Sequence, residues 1–265
     1  MITTGIKDFV SGLFQHLHVI HALILRETRT RFGKHSLGYV WAFMEPFLNV
    51  GVFFVMFYFL NRQTPAGTDA IGFLCTGFLT FYVFTGTLNK AQTAVQANLA
   101  LLYYPQVQTL DLVVARCALE TVTLGVAFFI FMLFSTMQLH HLPLDSAAKT
   151  IMGLSFASLL GTGIGLIFNG LVTVFPTIEH FISLITRPLF WLSGLFWGLN
   201  EIPQEYRGAL LWNPILHIVE LTRDGWYKTY NYEYYSYSYI LLWILGAIFF
   251  GLVSEKMTRK YVVSG

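Results

Sequence analysis

Four cations fall within nine positions, Arg26, Arg29, Arg31 and Lys34, just ahead of an apolar stretch that begins at Tyr39. A guanidinium binds phosphate or carboxylate through two parallel N–H groups, so the cluster suits the capture of an anionic substrate at an entrance. Beside a membrane span the same residues anchor the chain and attract anionic lipid, and the two roles are compatible. Four more charges, Glu45, Arg116, Glu120 and Arg187, lie in or near apolar stretches. Charge there is costly and faces protein or a water-filled path. Arg116 and Glu120 stand four residues apart and can pair on one helix face, whereas Arg187 lines a pathway or reaches Glu45 across helices. No catalytic constellation accompanies them. Gly33-Lys34 lacks the upstream glycine of a phosphate loop and is followed by His35. His140-His141 reads as a solvated loop pair. His16, His18 and His21 read as the polar face of a surface helix, with too few ligands for a metal. The residues predict no catalytic group, metal or cofactor in this chain.

The elements that position these charges follow from composition. Of 265 residues, 55% are hydrophobic and 11% charged, and the mean hydropathy is +0.59. Soluble domains carry roughly 25% charge. The composition therefore excludes a water-soluble enzyme, a nucleic-acid binder and a disordered chain. A net charge of +2 likewise gives no reason to expect nucleic acid. Cys75 and Cys117 read as small buried hydrophobes rather than a disulfide. Met1 to Val10 has no apolar core of a signal peptide.

The predicted fold class is an all-α integral membrane protein with six transmembrane helices. A hydrocarbon core of about 30 Å takes about 20 apolar residues as helix. The candidate spans are Tyr39–Leu60, Ala70–Asn89, Thr121–Leu139 with a helix starting near Leu112, Thr150–Ile178, His180–Leu199 and Tyr234–Ser254. Six spans place both ends on one side. That side would hold Lys7, Arg26, Arg29, Arg31, Lys34, Lys90, Lys256, Arg259 and Lys260, nine cations against five on the other. The positive-inside rule then puts both termini in the cytoplasm.

Two regions fit neither span nor simple loop. In Gly5–Leu25, Phe9, Leu13, Leu17, Ile20 and Ile24 share one helical face, which predicts an amphipathic helix lying at the membrane surface. Residues 1–38 thus form an interface helix with a basic collar, and 39–265 the transmembrane domain. Between spans five and six, Asn200–Lys228 contains the apolar but short run Gly208–Val219, interrupted by Asn213-Pro214. It predicts a re-entrant or interfacial helical hairpin on the outer side. Tyr227, Tyr230, Tyr232, Tyr234, Tyr235, Tyr237 and Tyr239 follow, read as an aromatic belt or as stacking surfaces for sugar.

Several stretches together resemble bacterial capsular-polysaccharide export permeases, the KpsM-type membrane subunit of type-2 ABC exporters. They are Arg26 to Lys34, Leu37-Gly38-Tyr39-Val40-Trp41-Ala42 with Glu45-Pro46, Ala115-Arg116 with Leu119-Glu120, Gly163 to Phe168, and Leu211-Trp212-Asn213-Pro214 with His217 to Leu221. The resemblance covers most of the chain, in order. It implies a homodimer with a channel between two copies, a separate ABC ATPase that binds ATP and Mg, and periplasmic adaptor and outer-membrane export partners. The cargo would be a lipid-linked acidic polysaccharide, and the location the bacterial inner membrane. It also implies roles: Arg26, Arg29, Arg31 and Lys34 at the entrance, and Tyr39, Trp41, Glu45, Arg116, Glu120 and Arg187 along the pathway or gate. Asn98, Leu101, Tyr103, Tyr104 and Pro105 would couple to the ATPase, with Glu179 in a second, smaller contact. Trp212, Asn213, Pro214, His217, Glu220 and Arg223 would build the periplasmic hairpin. An O-antigen, teichoic-acid or drug exporter of the same fold is the alternative. A secondary transporter would show an internal repeat, which residues 39–139 and 150–254 lack. A membrane glycosyltransferase would gather its acids, whereas Glu45, Glu120 and Glu179 are scattered.

Overall fold

A computed structural model describes the backbone of residues 2–32, 37–65, 68–139, 143–230 and 234–263; among these, the side chains of 2–11, 13, 31–32, 37–43, 45, 138–139 and 260–263 are left undescribed. The described residues form helices without strands: α1 (Ile2–Phe32), α2 (Leu37–Phe59), α3 (Ala70–Gln92), α4 (Thr109–Leu139), α5 (Ala147–Val174), α6 (Glu179–Leu192), α7 (Gln204–Leu210), α8 (Pro214–Trp226) and α9 (Tyr237–Val263). A 3-10 segment, Gln96–Tyr103, joins α3 to α4, and short 3-10 turns at Pro176–Ile178 and Leu199–Glu201 flank α6 and its exit. Local chemistry sets the starts. Asp69 accepts Gly72 N–H at 2.7 Å ahead of α3, Ser146 accepts Lys149 N–H ahead of α5, and Asn213 caps α8 with Pro214 in its first turn.

Helices α3, α4, α5 and α9 are long and apolar enough to cross a membrane. Helix α2 has 23 residues, of which Pro46–Phe59 make an apolar stretch. The expected span His180–Leu199 is different: α6 has 14 residues and stops at Leu192. At 1.5 Å per residue it reaches about 21 Å, short of a bilayer core. Gly194, at φ +71, turns the chain toward α7 in a conformation that a side chain would strain.

The core forms around α5, which packs on α3, α8 and α9. Glycines on its different sides let the backbones close in. A Cβ at Gly165 would stand 2.5 Å from the Leu88 carbonyl oxygen of α3, and one at Gly163 would stand 2.9 Å from Ala247 of α9. Small residues serve this purpose where lipid removes the hydrophobic drive between helices. Cys75 and Cys117 are free and buried, as their reading as hydrophobes required.

Helix α1 builds a second, separate cluster. Leu23 is buried with Ala91, Leu112 and Val113, and Val19, Ile20 and Ile24 pack beside it. Ile20 and Ile24 of the expected face pack here, whereas Leu17 is 52% exposed. The contact is with α4 and the end of α3, so the packed stripe follows their shape. Phe9 and Leu13 lie outside the described side chains.

Gly165→Ala is expected to destabilise the protein by about 1–3 kcal/mol, because both facing atoms are held by rigid helices. Gly246→Ala, where nothing lies within 4 Å, is the control. Thermal unfolding in detergent should separate the two; equal midpoints would mean that α5 has room to spare.

Candidate functional site

At the end of the bundle away from α1, the chain between α6 and α9 folds back into the core. Helix α8 is buried from Ile215 to Trp226. Its side chains Glu220 and Arg223 have no solvent exposure and pair at 3.2 Å. Arg223 also donates Nη1–H to the Trp197 carbonyl and Nη2–H to the Leu195 carbonyl, both at 3.3 Å. Its guanidinium carbon stands 3.9 Å from the Phe73 ring centre, a contact that strengthens when desolvated. Tyr230 donates its hydroxyl to the other Glu220 oxygen at 2.7 Å. Two further groups extend this anchor. Asp69 accepts from Tyr227 at 2.6 Å and from Ser135 at 2.9 Å. Asp224 accepts from Lys149 at 2.8 Å and from Tyr235 at 2.7 Å.

His217 sits at the edge of α8. Its Nδ1 accepts Ser236 N–H at 3.1 Å, so Nε2–H donates to the Leu211 carbonyl at 2.8 Å. Both bonds together need the neutral ring, and burial pulls its pKa below the ordinary value. The tyrosine cluster is accordingly not a simple belt. Tyr227 and Tyr230 are buried donors, Tyr235 is bonded to Asp224, and Tyr239 donates to the Trp212 carbonyl. Tyr234 lies against Arg207, whose Nη1–H reaches its hydroxyl at 3.0 Å. Tyr232 lies outside the described residues.

At the α1 end, the basic residues divide. Arg26 donates Nη1–H to Asn98 Oδ1 at 2.9 Å. Arg29 is exposed. Arg31 has no described side chain and Lys34 lies outside the described residues. Arg116 reaches across to α1, donating Nε–H to Glu27 at 3.1 Å and Nη1–H to the Thr93 carbonyl at 3.0 Å. His16 bonds Asp111 at 3.0 Å, and Thr109 donates to Glu255, which also holds Arg259. Of the connecting segment, Asn98 is buried and Leu101 half-buried, whereas Tyr103, Tyr104 and Pro105 are exposed. Glu179 is exposed at the start of α6.

Between these ends, α2, α3 and α4 enclose a cavity of about 370 Å³ lined by Asn49, Tyr82, Thr85, Asn89, Lys90, Glu120 and Thr123, with Pro46 at its wall. Glu120 thus borders a polar space. Nearby, Phe53 of α2, Phe78 and Phe81 of α3, and Phe190 and Phe196 form an aromatic box with ring centres 4.8 to 6.1 Å apart. Residue types alone did not reveal it, because phenylalanines are spread along every apolar stretch. The outward faces of α2 and α6 stay uncovered, with Val52, Val55, Phe181, Leu184 and Ile185 exposed. Arg187 is also exposed on α6. The side chains of Tyr39, Trp41 and Glu45 are outside those described, so the Arg187–Glu45 pair is not among the described contacts.

The described residues thus form an all-helical chain with four apolar helices of membrane-spanning length and the buried helix α8 ahead of the last of them, an architecture that fits a membrane permease. The chain belongs to the ABC-2 type transporter family, whose profile matches residues 18–227. It is 33% identical over 254 residues to the polysialic acid transport protein KpsM of Escherichia coli, covering 96% of this chain and 98% of that one. It is 28% identical over 245 residues to the capsule polysaccharide export inner-membrane protein BexB of Haemophilus influenzae, covering 92% of each. It is also 28% identical over 259 residues to the capsule polysaccharide export inner-membrane protein CtrC of Neisseria meningitidis, covering 96% of each.

Removing one member of the Glu220–Arg223 pair strands a charge in the core. Arg223→Met should cost about 3–5 kcal/mol, and Glu220→Leu combined with it should recover part of the loss. Thermal unfolding of the singles and the double checks this; additive losses would mean that the two side chains act separately. The His217 pKa lies below its unfolded value, so its contribution is fully present above the ordinary value of 6.5. It is lost as pH falls through the lower folded value. Acidification from neutral should therefore lower the melting point of the wild type more than that of His217→Gln.

Proposed function

We propose that this chain is the permease subunit of an ATP-driven exporter that moves a lipid-linked acidic capsular polysaccharide from cytoplasm to periplasm. The observation that carries the reading is the likeness, over nearly the full length of each chain, to proteins named for capsule polysaccharide export. Six spans, counting α2 and the half-length α6 with its exit, and both termini in the cytoplasm, follow from the span lengths and the distribution of cations. Two copies would form the channel, with the uncovered faces of α2 and α6 turned toward each other. One chain is then half a conduit. Residues 1–38 act as interface helix and collar, and 39–265 as the transmembrane domain. Residues 200–228, with α7 and α8, would form a re-entrant or interfacial hairpin on the outer side. A periplasmic adaptor and an outer-membrane protein would take the polymer onward.

The chain's own residues supply position and charge. Arg29, with Arg31 and Lys34, meets the acidic end of the cargo at the cytoplasmic entrance. Fixed positive charge there offsets the cost of bringing negative sugars into a low-dielectric path. Tyr39, Trp41, Glu45, Glu120 and Arg187 line the pathway or its gate. The contacts along the path stay weak and repeated, so that a long polymer keeps moving. ATP and Mg²⁺ are held by a separate ATPase, which meets the exposed Tyr103, Tyr104 and Pro105 and, at a smaller contact, Glu179. Closure of the ATPase pair shifts α2 and α6 and opens the route.

Copurification with an ABC ATPase, and ATP hydrolysis that requires this chain as partner, test the class. A purified subunit that hydrolyses ATP alone would overturn it. Replacing Arg29 and Arg31 with Ala should lower export and substrate-stimulated ATP hydrolysis while the complex still assembles in normal yield. Unchanged export in that variant would leave the collar as a membrane anchor only.

A further inference from the structure

Two points of the segment between α3 and α4, Asn98 directly and Thr93 through Arg116, are fastened to the same turn of α1. Arg26 binds Asn98, the one residue inside Gln96–Tyr103 that leaves helical geometry, at φ −135 and ψ 24. Asn98 is buried and its amide also donates to the Ala94 carbonyl at 3.0 Å, so the side chain is held from both sides. The next residue of α1, Glu27, accepts from Arg116, which in turn grips the Thr93 carbonyl where α3 has just ended. This ion pair is largely removed from solvent, with side-chain exposures of 12% for Arg116 and 20% for Glu27. One turn earlier, Val19, Ile20, Leu23 and Ile24 pack in the cluster that also takes Leu101 and Leu102 of the segment. That cluster is separate from the main core. Polar and apolar contacts therefore join α1 to the segment at several points.

We propose that α1 and the Gln96–Tyr103 segment form one rigid lever, in which Arg26 and Arg116 are positioning residues that carry motion of the segment to the basic collar. The proposal rests on the reading that the exposed Tyr103 and Tyr104 meet the ATPase. A push delivered there moves α1, and with it Arg29, through a small cluster that reaches the glycine-packed helices α3 and α5 only at Ala91 and Leu166. Arg26 then belongs to the transmission, and Arg29 is left to meet the anionic cargo. Arg116 likewise holds the lever and does not line the path.

The complex of this chain with its ATPase, reconstituted in proteoliposomes, tests the lever through Arg26→Ala, Asn98→Ala and the double variant. Polymer exported per ATP hydrolysed should fall about tenfold in each single variant, the scale of one hydrogen bond to a charged group. The double variant should be no worse than the poorer single, since both remove one contact. The half-saturating substrate concentration should not move. Multiplying losses, or a raised half-saturating concentration with an unchanged export-to-ATP ratio, would overturn the proposal and make Arg26 a cargo contact. Asn98→Asp keeps an acceptor for Arg26 and should retain the ratio; its loss in an assembled Asn98→Asp complex would also count against the lever. A readout independent of export uses spin labels on Ala22→Cys and Tyr103→Cys, both exposed positions. Their distance distribution should be narrow and should broaden in Arg26→Ala. A distribution indifferent to that substitution sinks the lever. A narrow one that broadens as expected, in a complex without partner-dependent export, sustains the lever and removes the transport reading.

Discussion

A charge withdrawn from water must find a partner, and in this fold that requirement decides where the irregular segment after α6 goes. Arg223 is fully buried, and beside its i,i+3 partner Glu220 it contacts two groups that only a folded-back chain supplies, the Leu195 and Trp197 carbonyls. The carbonyls are available because α6 ends early and its exit is not helical. A longer α6 would have used them internally. The short helix and the buried cation therefore depend on each other. Tyr230, Tyr227 and Tyr235 complete the arrangement by tying the chain after α8 to Glu220, Asp69 and Asp224. Isolated, such a pair contributes little net stability, because desolvation offsets its attraction. Its effect is to admit one position of α8 against α3 and α5.

The two ends of the bundle solve different problems with the same means. At the α8 end, polar groups close upon a core of large apolar side chains. At the α1 end, Arg116, Glu27, Asn98 and Arg26 join surface elements to one another, and the apolar cluster beneath is small. Between them, α5 meets its neighbours through glycines at backbone distance. Close-packed backbones transmit displacement but do not compress. Any movement needed for transport therefore falls on elements outside this contact: α1, α2 and α6, whose outward faces are uncovered in the single chain.

Much of the architecture was legible in the sequence because lipid imposes a coarse rule on composition and length. The central parts of α3, α4, α5 and α9 follow from uncharged runs, beyond which charged residues extend α4 back to Thr109 and α9 on to Val263, and the Asn213-Pro214 break falls where α7 gives way to α8. What escaped depends on contacts between residues far apart. Tyr227 looked like part of a belt because its partner Asp69 lies 158 positions away. That Leu23 joins Ile20 and Ile24 in the packed stripe of α1 is set by the surface it meets, which no periodicity within α1 encodes. Arg116 and Glu120 have the spacing of a helical pair, but Glu27 offers Arg116 a carboxylate together with the Thr93 carbonyl, two acceptors in one place.

The basic collar shows how one motif serves two physical roles. Read as a row of cations, Arg26, Arg29, Arg31 and Lys34 were equivalent. Within the fold Arg26 and Arg29 differ, although at three positions apart they are neighbours on the exposed surface of α1. Arg26 reaches from that surface to the buried amide of Asn98, where a guanidinium gains geometry from its fixed fork. Arg29 remains in reach of solvent. A charge that must hold a joint needs a stationary partner, whereas a charge that must pass a moving polymer needs none. The position of Asn98 beside Arg26 separates these two demands within a single turn, so the same helix can grip the transmission segment and still offer positive charge to what is carried.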